Sequence, residues 1–126
     1  MRTLDGAFGS YSIDDVARAK AFYAGTLGLD ASDDEMGGLK LRLPGGVAFY
    51  LYPKRDHTPA TFTVLNFQVD DVRAEIAALK GQGVRFEHYD HGDLKTDRDG
   101  VMAHDGMQIA WFKDPAGNFL SLIQNA

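Results

Sequence analysis

This chain states one pattern twice. Asp15-Val16 opens an apolar-periodic stretch that halts at Gly28-Leu29, and Asp71-Val72 opens a second that halts at Gly83-Val84. Each is preceded by a run rich in β-formers, residues 6–13 and 61–69, and followed by further short runs of the same kind. A period near half of the 126 residues points to duplication of a single βαβββ unit. One such unit covers one face of its sheet with a helix and leaves the other bare, so two units are expected to combine. The expected class is α+β, with two βαβββ modules forming a curved mixed sheet around a cleft. As one domain over 1–126, the first module spans about 1–53, a polar linker holds 54–60, and the second module spans about 61–126.

Local chemistry supports the elements. In the first strand Tyr11 and Ile13 fall on one face, and Phe8, Ser10 and Ser12 on the other. Asp14 or Asp15 caps a helix in which Val16, Ala19, Phe22, Tyr23 and Leu27 recur at helical spacing, with Gly28 as its stop. Residues 29–36 are acidic and only weakly strand-like. Strands are expected at 39–43, where Leu39 and Leu41 alternate with Lys40 and Arg42, and at 47–52, before Pro53. In the second module Asp70 or Asp71 caps a helix carrying Val72, Ile76 and Leu79, and residues 84–89 read as the next strand. Residues 91–106 form a long polar loop, with a short strand possible at 101–104, and the loop is either a lid or a surface excursion. Within 61–69, Leu65, Phe67 and Val69 make an apolar face, opposite the mixed set Phe62, Val64, Asn66 and Gln68.

The closing stretch, 108–124, is a hairpin. Ile109, Trp111 and Phe112 favour one strand, and Phe119, Leu120, Leu122 and Ile123 the other. Between them Asp114 accepts backbone N–H groups, Pro115 presets φ and Gly117 permits a left-handed turn.

Composition excludes several classes. With 44% apolar and 25% charged residues the chain is an ordinary globular protein, and a net charge of −5 with pI near 5.2 gives no support for nucleic-acid or anionic-membrane binding. The absence of cysteine removes disulfides and thiolate metal sites. The first residues lack an apolar signal core and no run reaches transmembrane length, so a cytoplasmic location is the expectation. Neither a nucleophile elbow nor a phosphate-binding glycine loop nor a dinucleotide fingerprint is present.

Three motifs in order, Asp15-Val16-(x)5-Phe22-Tyr23-(x)3-Leu27-Gly28-Leu29, Val69-Asp70-Asp71-Val72 and Phe112-Lys113-Asp114-Pro115-Ala116-Gly117-Asn118, resemble the vicinal oxygen chelate superfamily. That group includes glyoxalase I, bleomycin-resistance proteins, extradiol dioxygenases, fosfomycin-resistance enzymes and methylmalonyl-CoA epimerase. The resemblance spans nearly the whole chain and implies the two-module fold and a homodimer. In metal-using members, four inward positions on the first and last strands of the modules hold one divalent ion with His, Gln or Glu. Carried over by motif, those positions are Phe8, Tyr50 or a residue beside it, Val64 and Ser121. Phe8 and Val64 have no donor atom, and Tyr and Ser do not replace a carboxylate or imidazole. The expectation is therefore no metal and no cofactor.

What the resemblance leaves is a ring-rich hollow. Phe8, Tyr50, Tyr52, Phe62, Trp111 and Phe119 either line a cleft or fill it as core. If they line it, Ser10, Asn66, Gln68, Ser121 and the tyrosine hydroxyls supply polar anchors. The favoured reading is a metal-free, bleomycin-resistance-like protein binding a small aromatic molecule through Phe8, Ser10, Tyr50, Tyr52, Val64, Asn66, Trp111 and Ser121. The competing reading is a lyase, isomerase or dioxygenase-like enzyme using a displaced metal or acid–base residues such as Tyr50, His88 or His104.

Overall fold

The computed structural model describes residues 4–126. The chain divides into two compact units, the first ending at Pro59 and the second beginning at Ala60. Each is built of one four-stranded mixed sheet and one helical segment, and the class is α+β.

The first unit runs β1 (Gly9–Ile13), α1 (Val16–Lys20), β2 (Asp30–Asp33), β3 (Leu39–Arg42) and β4 (Ala48–Pro53). Its strand order is β1-β4-β3-β2, with β1 and β4 parallel and the other pairs antiparallel. Asp15 is the N-cap of α1, in extended backbone, and its side chain accepts from the Arg18 N–H at 3.0 Å. That supplies one of the first-turn donors that a helix cannot satisfy itself. The helix does not end at Lys20 but widens into a π-helical stretch, Ala21–Thr26, where Leu27 N donates to Phe22 O at 2.9 Å. The Leu29 N–H then bonds back to Tyr23 O across Gly28, whose φ of 69° closes the end.

The second unit runs β5 (Thr63–Gln68), α2 (Val72–Lys80), β6 (Asp90–His91), β7 (Leu94–Lys95), β8 (Val101–His104), β9 (Met107–Lys113) and β10 (Phe119–Gln124). The main sheet has the order β5-β10-β9-β8, the same path as in the first unit, and β6 and β7 form a separate two-stranded ribbon. Asp71 caps α2 by accepting from Ala74 N, and Gln124 at the end of β10 accepts from Val72 N at 2.8 Å. The last strand thus helps to fix where the helix starts.

Alternation divides each sheet into a covered and an open face. In the first unit the register lines Tyr11 with Leu51 and Leu51 with Leu39, and these residues are buried together with Ile13, Leu41, Ala19 and Tyr23. The hydroxyls of Tyr11 and Tyr23 meet at 2.8 Å inside that core. In the second unit Leu65 pairs with Leu120, Leu120 with Phe112, and Leu122 with Ala110, all buried. Helix α2, which packs on β9 and β10, contributes Val72, Ile76 and Leu79 at helical spacing. Each large side chain so buried stabilises by about 1.5–3 kcal/mol. Among the described residues, no helix is long and apolar enough to cross a membrane.

Two local expectations are corrected and a third is extended. The first strand begins at Gly9, not at residue 6, so Phe8 precedes it with 70% of its surface exposed. Residues 84–89 do not form a strand. They touch β9 by one bridge, Phe86 to Phe112, with Glu87 N donating to Trp111 O at 2.8 Å. The reason is competition for one edge. Residues 107–110 of β9 are already paired with β8, which leaves only the end of β9 for Phe86 and Glu87. Within 91–106 the short strand at 101–104 forms as β8, β7 is an addition to the expected loop, and the β8–β9 hairpin turns at Asp105-Gly106, with φ of 50° and 82°. Asp-Gly with both residues left-handed is a favoured two-residue hairpin turn, and it was visible in the sequence.

Candidate functional site

The functional candidates lie on the two open sheet faces. In the first unit the register places Ser10 beside Tyr50, Tyr50 beside Lys40, and Lys40 beside Ser32. The next row pairs Ser12 with Tyr52. The rings of Tyr50 and Tyr52 stack, with centroids 6.3 Å apart and planes 25° from parallel, and both stay partly solvent-accessible. The position of Tyr50 depends on a glycine. A Cβ added at Gly38 would lie 2.6 Å from Tyr50 Cε1 and 2.5 Å from the Leu51 carbonyl oxygen, so the ring lies directly over Gly38. At the edge of this face, Ser12 Oγ and His57 Nδ1 are 2.7 Å apart, tying the segment after β4 back to β1.

Beside Tyr50 the β2–β3 turn encloses a groove of about 370 Å³ lined by Ser32, Asp33, Asp34, Glu35, Met36, Lys40 and Arg42. The turn is held by Asp34, whose carboxylate accepts from Met36 N at 2.8 Å and whose backbone N–H bonds Gly38 O. By composition this stretch is only a weak strand and a turn. Yet the alternation of Leu39 and Leu41 with Lys40 and Arg42 already assigned both cations to the face of Tyr50.

In the second unit the open face centres on Ser121. Its Cα partners are Asn66 on β5 and Trp111 on β9. Ser121 is fully buried, and its hydroxyl donates to Asn66 Oδ1 at 2.5 Å. The indole N–H of Trp111 donates to Thr63 Oγ1 at 3.2 Å, and Tyr89 meets the same indole edge-to-face at 5.6 Å. Burial, and after it the negative charge of Glu87, pushes the Tyr89 phenol upward from its ordinary value. Val64 has no partner on β10: the register shifts between Phe119 and Leu120, leaving Val64 as the extra residue of a bulge. Phe119 is covered by Lys113, whose ammonium sits 5.0 Å from the ring centroid.

The structure therefore brings together Ser10, Tyr50 and Tyr52 in the first unit, and Asn66, Trp111 and Ser121 in the second. Phe8 and Phe62 are exposed beside their strands. Thr63, Tyr89, Gly38, Lys40 and Arg42 belong with these sets and were not singled out from the sequence. The histidines weighed as acid–base groups are engaged on the surface: His88 Nε2 lies 3.0 Å from Arg98 O, and His104 Nε2 lies 3.4 Å from Asp105. Among the described residues, no group of three or more His, Cys, Asp or Glu side chains is placed to hold a metal ion. The four positions inherited by motif fit such an ion poorly, since the one buried hydroxyl among them, Ser121, is committed to Asn66.

The family model described as the Glyoxalase/Bleomycin resistance protein/Dioxygenase superfamily matches residues 10–122. Among solved structures, the chain is similar to TnmS3, an antibiotic binding protein from Streptomyces sp. CB03234. The identity is 25%, the match covers 99% of this chain and 100% of that one, and the TM-score is 0.71. It is also similar to a member of the same superfamily from Sphaerobacter thermophilus DSM 20745, at 22% identity, 95% and 98% coverage and a TM-score of 0.70. A third similar structure is virulence protein STM3117 from Salmonella typhimurium, at 16% identity, 99% and 100% coverage and a TM-score of 0.66. The last two are likenesses of fold. No curated protein sequence matches this one.

Proposed function

We infer the function from one premise: the chain belongs to the Glyoxalase/Bleomycin resistance protein/Dioxygenase superfamily. Within it, the protein is a metal-independent binder that takes up a small aromatic molecule on the ring-bearing open faces of its sheets. The observation that carries this reading is the Tyr50–Tyr52 stack, held partly accessible over Gly38 with hydroxyl and ammonium groups in the neighbouring register positions. Two rings that pack no core and face polar neighbours are poor packing and good recognition. The second open face repeats the arrangement with Trp111, Tyr89, Asn66 and Ser121. The likeness to TnmS3, an antibiotic binding protein, points the same way.

The test is a thermal-shift screen of planar aromatic compounds, paired with a divalent-ion panel. A compound binding the native state at about 100 times its Kd stabilises by about 2.7 kcal/mol. An aromatic hit whose shift is lost in Tyr50→Ala, with no response to any divalent ion, is the expected result. Stoichiometric metal in purified protein, or no aromatic hit at all, would sink the reading.

A further inference from the structure

We propose that the groove in the β2–β3 turn recognises a zwitterion, a ligand carrying an anionic and a cationic group on one apolar body. This deepens the binding role inferred above and rests on it. The groove carries both signs of charge. Its acidic lining residues are Asp33 at the end of β2 and Asp34 and Glu35 in the turn, and its basic ones are Lys40 and Arg42 on β3. Several of these charges are already matched. Lys20 on α1 holds Asp33 at 3.1 Å, and Asp34 accepts from the Met36 N–H while Lys40 Nζ stands 3.8 Å away. Among the described residues, Glu35 and Arg42 have no ion-pair partner.

One charge of each sign without an ion-pair partner therefore remains among the lining residues of the groove. Arg42 presents a planar fork suited to a carboxylate or another oxyanion, and Glu35 presents an acceptor for an ammonium. A simple anion would meet Arg42 together with the acidic turn, and a simple cation would meet Glu35 together with Lys40 and Arg42. Only a ligand bearing both charges gains from each set without repulsion from the other. The apolar body has two neighbours. Met36 in the lining is 82% exposed and offers a polarisable thioether, and Tyr50 is the cross-strand partner of the lining residue Lys40. The ligand class is thus an aromatic amino acid or an amphoteric aromatic compound of similar charge spacing.

Four indoles with matched rings separate the contributions: tryptophan, indole-3-propionate, tryptamine and tryptophol. Each is titrated into ¹⁵N-labelled protein, with amide shifts read at residues 32–42, at Tyr50 and at Trp111. Tryptophan is expected to bind about fivefold more tightly than tryptophol, the scale of two exposed charge pairs, and to weaken with added salt. Indole-3-propionate and tryptamine, with one charge each, should bind no better than tryptophol, and Arg42→Gln or Glu35→Gln should each remove most of the advantage of tryptophan. Both residues are exposed on the surface, so the variants retain the fold, checked by their unchanged amide dispersion.

The outcomes are distinct. If all four indoles bind equally at Tyr50 and both variants are silent, the zwitterion inference is overturned and the aromatic role stands. If alanine, titrated as a fifth probe that has the two charges and no ring, shifts residues 32–42 as strongly as tryptophan does and nothing moves at Tyr50, the groove inference stands and the aromatic role fails. Absence of any perturbation at either place overturns both.

Discussion

Gly38 and Tyr50 are a matched pair: the ring occupies the space that a side chain at position 38 would need. Two obstacles face a Cβ there. The Tyr50 ring can rotate away, but the Leu51 carbonyl oxygen at 2.5 Å belongs to the sheet and cannot. Gly38→Ala should destabilise by about 1–3 kcal/mol. Gly9 is the control. The nearest atoms to a Cβ there belong to the Phe49 ring, 2.5 Å from Cε2, which has a side-chain torsion to yield. Urea midpoints of the two variants should rank Gly38→Ala below Gly9→Ala, and the reverse order would mean the Leu51 contact is relieved by backbone movement.

A second prediction concerns the turn that closes the last hairpin. Asp114 is buried and accepts from Ala116 N at 3.0 Å, Asn118 N at 2.8 Å and Asn118 Nδ2 at 3.2 Å. Asn118 in turn accepts from Ala60 N at 3.2 Å, so the turn also holds the start of the second unit. Removing the carboxylate strands donors away from water, at a cost of about 1–3 kcal/mol. Asp114→Ala should therefore lower the melting temperature clearly more than Asp114→Asn, which keeps one acceptor. Equal losses would show that charge matters here and hydrogen-bond count does not.

The third prediction is a pH dependence. Arg73 on α2 reaches Asp97 and Asp99, both at 2.8 Å, and Asp97 also accepts from the N–H groups of Asp99 and Val101. Partial burial pulls the Asp97 carboxyl upward. The Arg73 hydrogen bond, the two backbone donors and the Arg73 charge together outweigh it, leaving the carboxyl below its ordinary value. A carboxyl depressed on folding contributes stability above the unfolded value and loses it as pH falls through the folded one. The pair is about half exposed, so the contribution is small, about 0.2–1 kcal/mol. Between about pH 6 and about pH 2.5, the stability of Asp97→Asn should fall less than that of the natural chain. Parallel curves would remove Asp97 from the account.

Trp111 gives the fourth. It is the one tryptophan in the sequence, so intrinsic emission reads the open face of the second unit. Tyr89→Leu removes its edge-to-face partner, worth about 0.5–1.5 kcal/mol beyond area burial. Thr63→Val removes the indole acceptor from a partly exposed site, where water can replace it. Tyr89→Leu should cost more stability, while Thr63→Val should change the emission at little cost. The opposite ranking would assign the anchoring of Trp111 to the hydrogen bond.

Much of the fold was legible because its signals are local. Asp15 and Asp71 cap as expected, and Leu39, Leu41, Leu65 and Leu120 point where alternation puts them. What failed depended on competition. Residues 84–89 have strand composition, but β8 takes the edge of β9 that they would need, and nothing local to 84–89 reveals that. The site divides in the same way. Tyr50, Trp111, Asn66 and Ser121 could be assigned to faces by counting residues. The Tyr50–Gly38 contact, the bulge at Val64 and the groove at 32–42 depend on how a turn closes, for which periodicity carries no information.

In both sheets the strand made last lies inside and the strand made first lies at the rim, joined to the rest only through it. During synthesis the hairpins β2–β3 and β8–β9 can form in turn, but the first strand of each sheet has to wait for the last. β1 has no partner until synthesis has passed Pro53, and β5 has none until it has passed Gln124. The first unit can close while the second is still being made. The second must wait for its final strand, with the apolar faces of β5 and α2 left open to other chains in the interval. Loss of the last strand, Phe119–Gln124, would remove an inner strand of the sheet and leave β5 isolated. Proteolysis of ribosome-bound chains stalled before and after that strand should find the first unit protected in both and the second only in the longer one.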